Sequence, residues 1–228
     1  MGVFPWSIVD ERDKALMIES VRARGFVCAV VARCGCDSLT LARGLAAQLR
    51  LLKAGARIER SGRQMIVVGQ HGASVSVSHS GERTAIAIAA HARVGVDLER
   101  LRALPVKGLA TRYFVTDEAE AITHAADDAR LEIFFRLWTL KEAQGKLLGE
   151  GLAGGALSWR VPALDDVGHG CGFASIDGRD WCVVRRGEDV LALASDPGLG
   201  PRALDDVRTV HVNHACTHRR RVGAKFSQ

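Results

Sequence analysis

The sequence predicts an α+β fold of two similar halves, a pseudo-dimer in which each half packs a helix on a small antiparallel sheet. Two observations predict it. Ser38 to Lys53 carries apolar residues at helical spacing, and three stretches of strand length follow. The same plan, helix then strands, returns after residue 116. The repeat is one of plan only, without a residue-level repeat. A chain of 228 residues, 47% hydrophobic and 25% charged, is ample for a substantial core.

The first helix rests on Leu39, Leu41, Leu45, Leu49 and Leu52, with Arg43, Gln48 and Arg50 between them. A polar stretch, Arg57 to Gln64, separates it from strands over Ala73–Ser78, Thr84–Ala90 and Arg93–Glu99. The first two flank Ser80-Gly81-Glu82-Arg83, a turn composition, so the three read as an antiparallel meander. In the second half, Thr116 or Asp117 is placed to cap a short helix running to about Ala126. A longer helix spans about Ala129 to Leu148, ended by Gly149, Gly151, Gly154 and Gly155. Strands are expected over Ala156–Val161, Gly172–Ile176, Trp181–Arg186 and Val190–Ser195. Asp196 to Pro201 reads as a linker into a mobile basic tail. In that tail His211, His214, Cys216 and His218 have mixed spacing, which suits a disordered segment better than a metal site.

Composition excludes several function classes. Wholesale disorder is incompatible with so many apolar residues. Aromatics at 5% are too few for a base-stacking platform. The formal charge of +5 and a pI near 9.1 fit an anionic ligand or an acidic partner but are too diffuse to imply DNA. No apolar run approaches the ~18 residues of a membrane span. The segment MGVFPWSIVDERDK lacks the basic-then-apolar pattern of a signal peptide, and Trp6 breaks a myristoylation pattern. The expectation is a cytoplasmic protein whose six cysteines stay reduced; none forms a CxxC pair, and Cys34-Gly35-Cys36 has the wrong spacing for a zinc knuckle.

Two segments carry candidate chemistry. In Val94-Gly95-Val96-Asp97-Leu98-Glu99-Arg100, strand alternation gives Val94, Val96 and Leu98 one face and Asp97 and Glu99 the other. The two carboxylates lie roughly 7 Å apart. That separation allows both to bind one hard cation, and it equally suits a polar outer face. In the helix to Leu148, Leu131, Phe135, Trp138 and Glu142 fall near one meridian, with Lys146 a turn further and Lys141 about 100° around. A carboxylate continuing an apolar stripe needs a cation, either Lys146 at i,i+4 or a metal.

GVDLE, followed 45 residues after Asp97 by the Glu142 of WTLKEAQGK, resembles the signature of the 4′-phosphopantetheinyl transferases: Gly95, Val96 and Asp97, then Trp138, Thr139, Lys141, Glu142, Ala143 and Lys146. The Asp97-x-Glu99 form and the double-length chain resemble the Sfp-type branch. Val75-Ser76-Val77-Ser78-His79-Ser80, Gly62-Arg63 and Arg112-Tyr113-Phe114 with Glu118 look like further family motifs. Gln64 and Ser76 stand where the family usually has Pro and Asn. The likeness is good over about Ser61 to Val161, plausible over Val190–Ser195, weak before residue 60 and absent in the tail.

The resemblance implies transfer of the phosphopantetheine arm of coenzyme A to a serine of an apo acyl or peptidyl carrier protein, with 3′,5′-ADP as the other product. It implies Mg²⁺ (Mn²⁺ as an alternative) on Asp97, Glu99 and Glu142, in a site between the halves. Lys141 and Lys146 would face the phosphates, and Glu142 would serve as base directly or through water. Glu118 would stand near the metal, and Arg63, Ser78 and His79 would hold the 3′-phosphate. Arg22, Arg24, Arg33 and Arg43 are candidates for further phosphate contacts. The division implied is 1–102 with coenzyme A-binding elements, 103–196 with the metal-binding catalytic helix, and 197–228 as tail. Carrier protein and coenzyme A are the expected partners of a monomer, with no nucleic acid or membrane. The connector Leu101 to Arg112, bearing Arg102, Lys107 and Arg112, is a candidate docking surface. A non-catalytic coenzyme A-binding relative and a nucleic-acid binder using the basic tail are the alternatives.

Overall fold

The structure, a computed structural model, describes residues 6–8, 11–32, 36–62, 64–152, 155–161, 171–176, 178–197, 208–210 and 212–214. The chain begins with β1 (Trp6–Ile8), α1 (Glu11–Arg24), β2 (Phe26–Ala32) and α2 (Ser38–Gln48). The hairpin β3 (Arg57–Ser61) and β4 (Gln64–Val68) precedes β5 (Ser74–Ser80), β6 (Arg83–Ala89) and β7 (Val94–Arg100). Then come α3 (Val106–Tyr113), α4 (Thr116–His124) and α5 (Asp127–Leu148). Last are β8 (Cys171–Ile176), β9 (Arg179–Arg186), β10 (Asp189–Ser195), β11 (Arg208–Val210) and β12 (Val212–His214). The mixed α+β class expected from the sequence holds.

Two four-stranded sheets form the centre, ordered β11-β2-β6-β5 and β7-β10-β9-β8. They face each other across Phe26, Cys28 and Val30 of β2, Ala85, Ala87 and Ala89 of β6, and Val94, Val96 and Leu98 of β7. Each sheet carries helices on its outer face. Val27, Ala29 and Val31 of β2 pack on Met17 of α1 and Leu41 and Leu45 of α2. Trp181, Val183, Val190 and Ala192 pack on Phe134, Phe135 and Leu140 of α5. Burial on both faces explains why β2 is a continuous apolar run rather than an alternating one.

Several elements differ from the sequence expectation for local physical reasons. Helix α2 starts at a good cap, Asp37, whose side chain accepts from the Leu39 and Thr40 amides. It stops at Gln48, not Lys53, because Arg50 turns left-handed (φ 52°) and breaks the ladder. The polar stretch 57–64 belongs to the hairpin β3–β4. The N-cap of α4 is Val115, with no side-chain cap bond, so neither Thr116 nor Asp117 caps it. Residues 156–161, expected as a strand, are turns, closed by the Ser158 and Trp159 amides donating to the Gly155 carbonyl. The connector at Leu101 becomes helical from Val106. Helix α5 does end at Gly149, in the left-handed conformation (φ 76°) that glycine adopts without strain.

The expected meander breaks at its third strand. β7 pairs with β10, placing Asp97 opposite Ala192, and not with β6. Its link to β5 runs through side chains. The Val94, Val96 and Arg100 amides donate to the hydroxyls of Ser74, Ser76 and Ser80 at 2.9, 3.0 and 2.8 Å. This comb of alternate serines joins the edges of the two sheets and explains why β5 is half serine. β11 and β12 come from the stretch expected to be tail. β11 adds in parallel to β2, and β12 pairs with β1. Residues 215–228, with Cys216 and His218, lie outside the described residues, as do Arg33, Cys34, Arg63, Gly154 and His211.

Candidate active site

The face of β7 turned from the sheet–sheet core lies against α5. Contact is close because residue 95 is glycine: a Cβ there would stand 2.0 Å from the Ala143 carbonyl oxygen and 2.6 Å from the Leu147 nitrogen. Helix α5 therefore rests directly on β7, bringing Glu142 and Lys146 beside Asp97. Lys146 Nζ donates to Asp97 Oδ1 at 2.7 Å and to the Val96 carbonyl at 3.1 Å. Ser78 Oγ donates to the same Oδ1 at 2.6 Å. The other oxygen, Oδ2, is buried with no hydrogen-bond partner among the described residues. Asp97 is 4% exposed. A buried carboxylate with one oxygen fixed and the other unmatched is chemically suited to a cation at Oδ2.

Glu142 is half-buried, and its carboxyl is pushed up to about 7 by burial first, then by repulsion from Asp97 and from Glu99; the nearby Lys146 opposes this. Its expected i,i+4 partner, Lys146, gives its hydrogen bonds to Asp97 and Val96 instead. Glu99 Oε2 accepts from Arg102 at 2.7 Å. The three acidic groups feel one another, yet among the described residues no three His, Cys, Asp or Glu side chains are gathered closely enough to hold a metal ion.

A cavity of ≈ 570 Å³ opens beside this cluster, lined by Ser38, Arg60, Met65, His79, Lys146 and Gly149 among others. A second, ≈ 370 Å³, adjoins it and shares Gln64, Met65, Val75, Lys146 and Gly149. Lys146 thus connects the carboxylates to the cavity. His79 Nε2 and Ser38 Oγ are 2.7 Å apart, joining β5 to the first turn of α2.

Of the residues expected at the site, the structure brings together Asp97, Glu142, Lys146 and His79, with Glu99 adjoining. Arg63 lies outside the described residues. Ser78 is buried toward Asp97, not beside His79, because successive strand residues face opposite ways. Lys141 and Glu118 pair with each other. Both side chains are 0% exposed, with Lys141 Nζ 2.9 Å from Glu118 Oε2. Lys141 donates to the Leu157 and Trp159 carbonyls, and Glu118 Oε1 accepts from the Val161 amide at 2.8 Å. Burial raises the Glu118 carboxyl and lowers the Lys141 ammonium, each offset in part by the other. This pair ties α4 and α5 to the turn segment 155–161. Arg43 is likewise committed, donating to the Ile58 carbonyl at 2.7 Å. Ser38 and Arg60 line the cavity without having been foreseen; nothing in the sequence spacing relates either residue to His79.

Residues 93–188 match the family model of the 4′-phosphopantetheinyl transferase superfamily. The match covers 96 of the 228 residues, from the start of β7 to the end of β9. Among curated proteins, the chain is similar to the 4′-phosphopantetheinyl transferase HetI of Nostoc sp., 36% identical over 85 residues, 37% of this chain and 36% of that protein. It is 35% identical over 77 residues to the 4′-phosphopantetheinyl transferase gsp of Aneurinibacillus migulanus, 34% of this chain and 32% of the relative. The likeness to the 4′-phosphopantetheinyl transferase of Bacillus subtilis is 29% over 113 residues, 48% of this chain and 47% of that one. The chain spans about a third to a half of the length of the curated relatives it matches. The superfamily segment contains Asp97, Glu99, Glu142 and Lys146, whereas His79, Ser38 and Arg60 lie before it. No helix among the described residues is long and apolar enough to cross a membrane.

Proposed function

We propose that this protein transfers the 4′-phosphopantetheine group of coenzyme A to a serine hydroxyl of an apo acyl or peptidyl carrier protein, releasing 3′,5′-ADP, with Mg²⁺ as cofactor. One observation carries the reading: Asp97, within the superfamily segment, is fixed through one oxygen by Ser78 and Lys146, and its other oxygen is buried and unmatched. Asp97, Glu99 and Glu142 are hard oxygen donors that would hold the ion. Bound to them, Mg²⁺ would supply charge neutralisation to a diphosphate.

The chain's own residues do the rest. The serine oxygen attacks the phosphorus that bears pantetheine, and the bond to the bridging oxygen of the diphosphate breaks, so 3′,5′-ADP leaves with that oxygen. Lys146, shared by Asp97 and the cavity, neutralises the departing phosphate. His79, with Ser38 and Arg60, offers donors to the 3′-phosphate within the cavity. Glu142 would take the serine proton directly or through one water. The exposed basic side chains Arg102, Lys107 and Arg112 suit steering of an acidic carrier. His79→Ala tests the phosphate role: the Michaelis constant for coenzyme A should rise with the turnover number largely kept, and an unchanged constant would remove His79 from the site.

A further inference from the structure

Arg102 leaves the end of β7 and folds back on Glu99. Its Nη1 donates to Glu99 Oε2 at 2.7 Å and to the Arg100 carbonyl at 3.1 Å. Its guanidinium lies 5.2 Å from the centre of the Phe135 ring on α5. Three contacts therefore hold one cation on the carboxylate that, by the reading above, would help to bind a divalent ion. The arrangement differs from the one at Asp97. There Lys146 and Ser78 share a single oxygen and leave the second open. The Arg102 side chain is 53% exposed and that of Glu99 only 20%, so the arginine covers the carboxylate from the solvent side.

We infer that Arg102 is a built-in competitor for the divalent cation: it occupies Glu99 in the metal-free protein and must release it when the ion is bound. This rests on the assignment of Asp97, Glu99 and Glu142 as the metal ligands. The competition follows from charge. A carboxylate engaged by a guanidinium and a divalent ion together gains less from either than from one alone, so each weakens the other's hold. Release is affordable because the ion pair is partly exposed, and such pairs are weak. The Phe135 contact does not involve Glu99, so release of the carboxylate does not require its loss.

The test is titration of the metal-free, full-length protein with Mn²⁺, following the free ion by electron paramagnetic resonance. Arg102→Gln should bind Mn²⁺ about threefold more tightly than the native protein, the scale of a partly exposed ion pair. Lys107→Gln, which removes a positive charge from the same surface without touching Glu99, should match the native affinity. In a Glu99→Gln background, Arg102→Gln should bring no gain. Equal affinity of native protein and Arg102→Gln, with both binding one Mn²⁺, would overturn the competition and leave the metal assignment standing. A gain of the same size from Lys107→Gln would overturn it too, by reducing the effect to general surface charge. Failure of both native protein and Arg102→Gln to bind Mn²⁺ would overturn the metal assignment itself, and the competition with it.

Discussion

Asp97 and Glu142 are both carboxylates within reach of Lys146, and their surroundings separate them. Asp97 receives two donors on one oxygen, whereas Glu142 is desolvated and repelled by its acidic neighbours, so its carboxyl rises from 4.5 to about 7. The linkage has a definite sign. A carboxyl raised in the folded state adds stability that is complete below pH 4.5 and is lost as pH rises through about 7. Glu142→Gln is insensitive to that change. In metal-free protein its stability advantage over the native chain should therefore grow between pH 4.5 and 7 and then level off. Denaturant melts across that range would show it; a constant difference would contradict the assignment. The Lys141–Glu118 pair behaves differently, being enclosed on all sides. Lys141→Met strands a buried carboxylate and should cost about 3–5 kcal/mol in unfolding free energy. Unchanged stability, with a raised Michaelis constant for coenzyme A, would return Lys141 to the phosphates.

The approach of α5 to β7 decides which side chains meet, and Gly95 permits it. Gly95→Ala puts a methyl group where the helix backbone lies, so α5 must shift or strain at a cost of about 1–3 kcal/mol. Thermal unfolding should begin earlier and Mn²⁺ binding should weaken; an unchanged midpoint would mean that the contact is looser than described. At this scale the sequence was legible wherever one face of an element decides its pattern. Strand alternation set Asp97 and Glu99 apart from Val94, Val96 and Leu98, and helical spacing brought Glu142 inward. It failed where an element is enclosed on more than one face. α5 buries Phe134, Arg136, Leu137, Thr139 and Lys141, whereas of its stripe Phe135 is buried and Leu131, Trp138 and Glu142 are half-buried, because α4 and the turns at 155–161 cover the flank on which Lys141 lies. The departure of β7 from the meander was invisible for a related reason: the hydroxyls of Ser74, Ser76 and Ser80 take the place of backbone pairing with β5.

Across the whole molecule the order is helices, sheet, sheet, helices. The cluster around Asp97 sits where β5 of one sheet meets β7 of the other. Strand partners far apart in sequence complete that architecture, and local patterns carry no record of them. β11 returns to the N-terminal sheet beside β2, and β12 joins β1. Removing residues 198–228 should therefore uncover the β2 edge and lower the thermal midpoint, by about 2–4 °C for each kcal/mol lost. A truncated chain that melts with the full one would show these strands to be dispensable. The most direct test of the proposed function mixes the full chain with apo-carrier proteins from fatty-acid, polyketide and nonribosomal-peptide systems, coenzyme A and Mg²⁺, and reads carrier masses. The expected result is the gain of one phosphopantetheine group on at least one carrier, abolished by Asp97→Asn and by chelation. No gain on any carrier, or a gain that survives Asp97→Asn, would contradict it.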